Sequence, residues 1–246
     1  MKIRQTGSQK IAQQRALLAA LSDDLALPLL QVKGSLELLQ EQNFSKKTWQ
    51  SGAEIMSLSV ETGLQLVEAY RLVLHSSEFA DLELAPIAIG AILEDVAHQL
   101  TPYAKQYNTS LEVDVQGRLS PVLAHQPSIS AAFEVLATSL IRAQSAQTKQ
   151  KNYKLLLGAH RSADNVIAAG VFSNVQGLSD RTLRAARSLA GQARQPHSAL
   201  PTGAASGVLI ADMLCAHMWQ PLRSAAHRNM GGLATAIPIS KQLNFV

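Results

Sequence analysis

The sequence predicts an α+β fold, in which a helical N-terminal part precedes a part of mixed α/β character. Two long stretches, residues 9–42 and about 46–77, carry apolar residues three and four positions apart, as amphipathic helices do. After residue 86 the pattern changes, and alternating strand-like segments such as residues 110–115 lie between helical ones. This change predicts two domains, at residues 1–80 and 86–242.

The two N-terminal helices predict a homodimer. A short break at residues 43–45 joins them into an antiparallel hairpin, and Pro28 predicts a local kink in the first helix. One hairpin leaves its apolar stripe in water, whereas two hairpins paired in a four-helix bundle bury it. The stripes consist of Leu18, Leu21, Leu25, Leu29, Val32, Leu36 and Leu39 in the first helix and of Ile55, Leu58, Thr62, Leu66, Ala69 and Val73 in the second.

The second part reads as a series of short elements after a connector at residues 78–86. The glycine pair after Met230 predicts the last turn, and the Pro- and Ser-rich segment 196–207 predicts a loop. The predicted elements are a helix at 87–107, strands at 110–115 and 121–124, a helix at 128–143, strands at 152–160 and 164–173 with a turn near 161–163, helices at 178–195 and 207–219, and strands at 221–228 and 232–239.

Composition limits the classes of function. Of 246 residues, 47% are hydrophobic and 16% charged, and no apolar run reaches the ~18 residues of a membrane-spanning helix. The single cysteine, Cys215, excludes an internal disulfide, and the polar start lacks a secretory signal, so we expect a cytoplasmic protein. Residues 1–115 are acidic and residues 116–246 basic, but no dense cluster of basic and aromatic residues predicts a nucleic-acid partner.

Residues 17–29, LLAALSDDLALPL, resemble the phosphoacceptor motif of histidine kinases, which runs roughly F-x-A-x-x-S-H-E-L-R-T-P-L. Ser22 and Pro28 are in register, and GSLELL at residues 34–39 matches the end of the same helix in that family. The resemblance places Asp23 where the family has its phosphorylated histidine, and Asp24 where it has the acidic neighbour.

The rest of the chain resembles the ATP-binding domain of the same family. The order of elements agrees, and so do the local phrases at residues 103–113, 121–125 and 231–239. Together the two resemblances cover about residues 12–240 and imply a dimerisation hairpin followed by a histidine-kinase-type α/β sandwich. Kinase-derived bacterial histidine phosphotransferases are similar in the same way.

The nucleotide-binding positions implied by this resemblance depart from the family pattern. Val135 and Ser139 stand where the family has the asparagines that hold Mg²⁺, and a valine has no oxygen for a hard cation. One glycine box reads SNVQG at residues 173–177 and the later one GAASG at 203–207. We therefore expect no bound cofactor or metal, and only a vestigial nucleotide pocket formed by Ser139, Ser173, Gly177, Gly203 and Gly207.

The resemblance favours a catalytically inactive signalling protein that binds a response regulator receiver domain or another sensor kinase. The partner-binding surface it implies consists of Ser22, Asp23, Asp24, Ala26, Leu27 and Pro28. Asp23 is interpreted as a solvent-facing acid, with phosphate acceptance as the alternative. His75 is a weak candidate for a displaced phosphoacceptor, because it lacks the acidic neighbour and the following proline.

Other functions stay open. A histidine phosphotransferase-like phosphorelay protein needs a phosphoacceptor histidine, and residues 1–74 contain none. A nucleotide-sensing kinase with unusual ATP boxes and a purely structural dimer are further alternatives. Arg181, Arg184 and Arg187 form a stripe at helical spacing, which is solvated, or contacts an acidic partner.

Overall fold

The computed structural model confirms the α+β fold class and describes residues 7–40, 46–76, 82–145, 153–174, 183–184, 187 and 205–240. The helices are α1 (Gly7–Leu38), α2 (Lys46–Ser76), α3 (Ile89–Gln106), α4 (Gln126–Ser145) and α5 (Ala205–His217). The strands are β1 (Ala85–Ile87), β2 (Thr109–Val115), β3 (Val122–Ala124), β4 (Tyr153–Ala163), β5 (Val166–Ser173), β6 (Arg223–His227) and β7 (Met230–Pro238). None of the described helices is both long and apolar enough to cross a bilayer.

The helical hairpin is present, but its apolar stripes are used differently in the two helices. In α2 the predicted stripe is buried from Thr62 to Val73. In α1 the stripe divides: Leu21 and Leu25 pack against the core, Val32 and Leu39 are half-buried, and the other three leucines are exposed. A strict spacing of three and four residues drifts around a straight helix, so one stripe does not face the same neighbour along its whole length.

A five-stranded mixed sheet forms the centre of the second part. Its strand order is β2-β4-β5-β7-β6, with β2 and β4 parallel and the other neighbours antiparallel. The edge strands are therefore β2 and β6. A separate small sheet pairs β1 with β3, so the predicted connector at residues 78–86 ends in a strand. Three residues that include Pro86 carry too little pattern to predict a strand.

One face of the large sheet packs against helices α3, α4 and α5. On β4 and β5 the residues of this inner face include Leu155, Leu157 and Val171, all fully buried. The same apolar core continues into the hairpin through Leu66 and Tyr70 of α2. The hairpin is thus packed on the α/β part.

Two turns lie two or three residues from their predicted positions. The β4–β5 turn is at Asp164–Asn165. The β6–β7 turn is at Arg228–Asn229, and these two residues have positive φ angles of 44° and 62°. The glycine pair that predicted the second turn instead lies inside β7. A Cβ on Gly232 would overlap the carbonyl oxygen of Val171, so close strand packing explains this glycine.

The predicted helix at 178–195 falls largely outside the described residues, although Leu183, Arg184 and Arg187 are helical. Helix α5 begins at Ala205, inside the predicted loop 196–207. Gly177, Arg181 and Gly203 lie outside the described residues, as does the side chain of His75.

Candidate functional site

The carboxylate of Asp24 joins the helical hairpin to the α/β part. The Tyr70 hydroxyl of α2 donates a hydrogen bond to Asp24 Oδ2 at 3.0 Å. From α5, the Ser206 hydroxyl donates to Asp24 Oδ1 at 2.8 Å. The Arg142 guanidinium of α4 lies 3.8 Å from the same oxygen. Four helices therefore meet around one acid, which we call the Asp24 cluster (Asp24, Tyr70, Arg142 and Ser206).

Burial dominates the electrostatics of this cluster. It raises the pKa of Asp24, although the hydrogen bonds from Ser206 and Tyr70 and the charge of Arg142 act in the opposite direction. Burial, together with the neighbouring Asp24 charge, also raises the pKa of the Tyr70 hydroxyl. The tyrosine therefore stays a neutral donor. The cluster links the elements to one another, since both oxygens of its acid accept hydrogen bonds from other helices.

The other predicted partner-binding residues are divided between surface and interior. Asp23, Ala26 and Leu27 are exposed on α1. Ser22 is exposed too, and its hydroxyl donates to the Leu18 carbonyl at 3.0 Å. Pro28 is buried. Four of the six predicted residues thus form one exposed patch, which we call the α1 patch (Ser22, Asp23, Ala26 and Leu27).

Two predicted positions of the vestigial nucleotide pocket meet where α4 and α5 cross. Ser139 is 2% exposed, and a Cβ on Gly207 would overlap its hydroxyl oxygen. The carbonyl oxygen of Val135 would lie 3.1 Å from the same Cβ. The helices are therefore in direct contact at this point, and neither Val135 nor Ser139 is open to solvent.

Ser173 is buried at the end of β5, away from this helix crossing. The side-chain amide of Gln144 donates a hydrogen bond to its hydroxyl. The next residue, Asn174, accepts the backbone N–H of Lys154 at 3.1 Å through its side-chain oxygen. The first predicted glycine box thus begins with two polar side chains that are engaged within the protein.

One arginine of the predicted stripe is held by α5. Arg187 Nε and Nη2 donate to the two carboxylate oxygens of Asp212 at 2.7 and 2.8 Å. Arg187 also donates to the Leu222 carbonyl at 2.9 Å, and the Leu222 N–H donates to Asp212 at 3.0 Å. A bidentate pair of this kind is among the stronger hydrogen-bonded contacts in proteins. Arg187 is therefore paired within the protein, although 41% of its side chain is exposed.

A second polar link ties the hairpin to Tyr107, the residue that follows α3. The Gln31 amide donates to the Tyr107 hydroxyl at 3.0 Å and accepts from Ser59 at 3.1 Å. Beside it, α2 and α3 enclose a groove of about 570 Å³, whose walls include Glu54, Lys105 and apolar side chains. Within the described ranges no three His, Cys, Asp or Glu residues are grouped as metal ligands.

Neither a family model nor a curated protein matches the sequence significantly. Solved structures do. Full-length ShkA in complex with AMPPNP has a TM-score of 0.52 at 19% identity, over 91% of this chain and 46% of ShkA. The Acinetobacter baumannii histidine kinase AdeS has a TM-score of 0.53 at 14% identity, over 88% of this chain and 97% of AdeS. A bacterial phosphotransferase solved at 1.7 Å has a TM-score of 0.51 at 12% identity, over 95% and 98%.

The chain has a histidine-kinase-like fold. This confirms the fold that the motifs at residues 17–39 and 103–113 predicted. The chain spans about half the length of ShkA but nearly all of AdeS and of the phosphotransferase.

Within this histidine-kinase-like fold, the Asp24 cluster has a clear position. It joins the helix that resembles the phosphoacceptor helix to Ser206 of the segment that resembles the later glycine box. Tyr70, Arg142 and Ser206 were missed by sequence reasoning. Ser206 could have been found from its place in the degenerate box GAASG, where it is the one residue whose side chain can form a hydrogen bond.

Proposed function

We propose that the chain is a catalytically inactive, histidine kinase-like protein of two-component signalling. It binds a response regulator receiver domain, or another sensor kinase, through the α1 patch. The observation that carries the proposal is the state of the two acids at the phosphoacceptor position. Asp23 is exposed at the position where the family has its phosphorylated histidine. The Asp24 carboxylate accepts hydrogen bonds from Tyr70 and Ser206.

The surroundings of the vestigial nucleotide pocket support the loss of ATP chemistry. Val135 and Ser139, which stand where Mg²⁺ ligands are expected, are buried against α5. A valine offers no ligand oxygen, and the Ser139 hydroxyl faces Gly207. The bidentate pair between Arg187 and Asp212 holds residue 187 against α5. Each of these contacts opposes the entry of a nucleotide between α4 and α5.

Exposed apolar side chains on both helices of the hairpin support a homodimer. A single hairpin leaves them in water, and a second hairpin packed against them would bury many of them. Apart from Leu27 of the α1 patch, they are Leu18, Leu29, Leu30, Leu36 and Leu38 on α1 and Trp49, Val60, Leu64 and Val67 on α2. The proposed unit is a four-helix bundle of two hairpins, residues 1–80, each followed by an α/β sandwich domain at residues 86–242.

Binding to receiver domains tests the proposed partner class. A panel of unphosphorylated and phosphorylated receivers is titrated against the purified chain by biolayer interferometry. Leu27→Asp places a charge in the α1 patch and is expected to weaken binding at least tenfold, since interface centres tolerate unpaired charge poorly. Glu94→Lys, at an exposed position of α3, is the matched control. Binding that is unaffected by Leu27→Asp would show that the α1 patch is not the docking surface.

Calorimetric titration with Mg·ATP to millimolar concentration tests the loss of nucleotide binding. No heat is the expected result, because the pocket positions that the structure describes, Ser139, Ser173 and Gly207, are buried. Saturable micromolar binding would contradict the proposal and would favour the alternative of a nucleotide-sensing kinase with unusual ATP boxes.

A histidine phosphotransferase-like phosphorelay protein is the second candidate. It is favoured by the near-complete mutual coverage with the solved phosphotransferase, 95% of this chain and 98% of that one. Incubation with a phosphorylated receiver separates the candidates. We expect no transfer to the wild type, whereas transfer to a site other than Asp23 would support the relay. The Asp23→His variant shows whether the surrounding surface still admits the reaction.

A further inference from the structure

The outer face of the large sheet, which points away from the helices, carries an unusual set of glycines and aromatic rings. Gly158 and Gly170 lie side by side on β4 and β5. A Cβ on Gly158 would approach the rings of His227 and Phe172 to 3.0 Å. These two rings are stacked, with centroids 5.1 Å apart. The missing side chains let the β6–β7 hairpin fold over the sheet and bring His227 onto its face.

His227 connects the two edge strands of the sheet. Although it belongs to β6, its Nε2 lies 2.7 Å from Asp114 Oδ2 on β2. Arg228, in the turn that follows, contacts the other oxygen of Asp114 at 2.6 Å. On its other side, His227 Nδ1 lies 3.0 Å from Nδ1 of His160 on β4. We call these four residues the sheet clasp (Asp114, His160, His227 and Arg228).

The geometry limits how many protons the sheet clasp can hold. With both rings neutral, His160 Nδ1–H donates to His227 Nδ1, and His227 Nε2–H donates to Asp114. One extra proton on the outer nitrogen of His160 leaves both hydrogen bonds intact. A second extra proton puts N–H groups on both Nδ1 atoms at 3.0 Å, so the hydrogen bond between the rings is lost and two cations face each other.

The surrounding charges add to this limit. Arg228 already neutralises Asp114, and further along the same face the Glu112 carboxylate is paired with Lys154 at 2.6 Å. Gln116 also hydrogen-bonds to Asp114. No second carboxylate among the described residues of this face is therefore free to compensate a doubly protonated pair. Burial and the neighbouring His227 lower the pKa of His160, which agrees with resistance to added protons.

We propose that the sheet clasp is an acid-sensitive latch, in which protonation of both His160 and His227 releases the β6–β7 turn from β2. At neutral pH the latch is closed. Acidification that protonates both rings breaks the bond between them and opens the end of the hairpin, which uncovers Phe172 and the glycine-lined face. The sign follows from linkage: the open state binds more protons, so the closed state loses stability as the pH falls below about 6.5.

Amide hydrogen exchange of β6 and β7 in the full chain tests the latch, with intrinsic exchange corrected at each pH. From about pH 7.5 to about pH 5.5, we expect protection of the amides at residues 226–232 to fall about fivefold, as for one proton bound with a pKa difference of about one unit. His160→Gln retains a side chain that can donate to His227 Nδ1 but cannot accept the additional proton. Its protection is expected to change less than twofold over the same range.

The matched control is His98→Gln, at an exposed position of α3 far from the sheet clasp, which should keep the wild-type pH dependence. Nitrogen-15 NMR of labelled histidines provides an independent readout at about pH 7.5. It should show Nδ1–H on His160 and Nε2–H on His227. Equal pH dependence in wild type and His160→Gln, or the opposite tautomers, would overturn the proposal.

Discussion

At the scale of single residues, Asp24 shows how one acid can change its role with its surroundings. The motif places it beside a reactive position, yet its side chain is turned inward and is only 13% exposed. Three partners from three other helices satisfy it, and these are Tyr70, Arg142 and Ser206. Adjacent Asp23 points to solvent. Two neighbouring acids on one helix thus take different roles, because successive helical positions lie about 100° apart.

Replacing Asp24 is expected to test this role directly. Asp24→Ala removes the acceptor of the Tyr70 and Ser206 hydroxyls and a carboxylate beside Arg142, and should lower the free energy of unfolding by about 2 kcal/mol. Asp24→Asn keeps an acceptor oxygen and removes a buried charge, so it should stay within about 1 kcal/mol of wild type. Urea denaturation measures both. Asp23→Ala is the control, and an Asp24→Ala variant as stable as that control would contradict the role.

The pH dependence of stability should separate the two structurally important acids. The pKa of Asp24 is raised in the folded state, so the folded state binds more protons than the unfolded state in the window above the model-peptide value of about 3.8. Stability relative to Asp24→Asn therefore rises as the pH falls through this window.

Although burial opposes it, the bond from His227 and the charge of Arg228 lower the pKa of Asp114. Stability relative to Asp114→Asn should then fall as the pH drops below about 3.8. Denaturation curves between about pH 7 and 2.5 measure both trends, and slopes of the same sign for the two acids would refute this assignment.

At the scale of elements, the β6–β7 hairpin shows that a glycine pair has more than one structural use. The turn itself is made by Arg228 and Asn229 at positive φ, a conformation that asparagine tolerates well. Gly231 and Gly232 follow inside β7, where only the second is closely packed. Strand packing, and not turn geometry, therefore accounts for Gly232.

Adjacent glycines provide a matched pair of substitutions. Gly232→Ala forces a Cβ against the Val171 carbonyl and the Phe172 ring, and should lower the free energy of unfolding by about 3 kcal/mol. Gly231→Ala meets no atom within 4 Å and should change it by less than about 1 kcal/mol. Thermal and urea denaturation compare the two variants. Similar effects of both would show that conformational freedom, and not space, determines this pair.

At the scale of the whole molecule, the hairpin faces in two directions. One side of α2, through Leu66 and Tyr70, belongs to the same core as the α/β part. The other side, through Val60 and Leu64, is exposed, as is Leu29 on α1. The hairpin therefore packs on the α/β part with one side and exposes apolar side chains on the other. In the proposed dimer, the hairpin of another chain covers this exposed side.

Aspartate substitutions on the two sides of α2 distinguish dimer formation from folding. Leu64→Asp places a charge on the exposed side, so it should give a folded monomer by light scattering, with unchanged helical circular dichroism. Leu66→Asp places the charge in the core and should unfold the chain. Leu25 of the predicted stripe does not suit this test, because it lies against Gly63 of α2 and its replacement would affect the hairpin itself. Wild-type mass for Leu64→Asp would rule out the proposed bundle.

The sequence by itself determined the order and type of most elements, because helical and strand periodicity are local properties of the chain. The boundaries of α2, β2 and β7 lie within two residues of their predicted positions for this reason. Local pattern also carried the resemblance at residues 17–39, and with it the histidine-kinase-like fold.

Only the tertiary structure decided which side chains meet. Asp24 and Ser206 are 182 positions apart along the chain, and Asp114 and His227 are 113 positions apart. No periodicity records such a pair, because it depends on the packing of helices and on the coiling of the sheet allowed by Gly158 and Gly232. For the same reason α1 divides its leucines between core and surface only once α2 and the α/β part are in place.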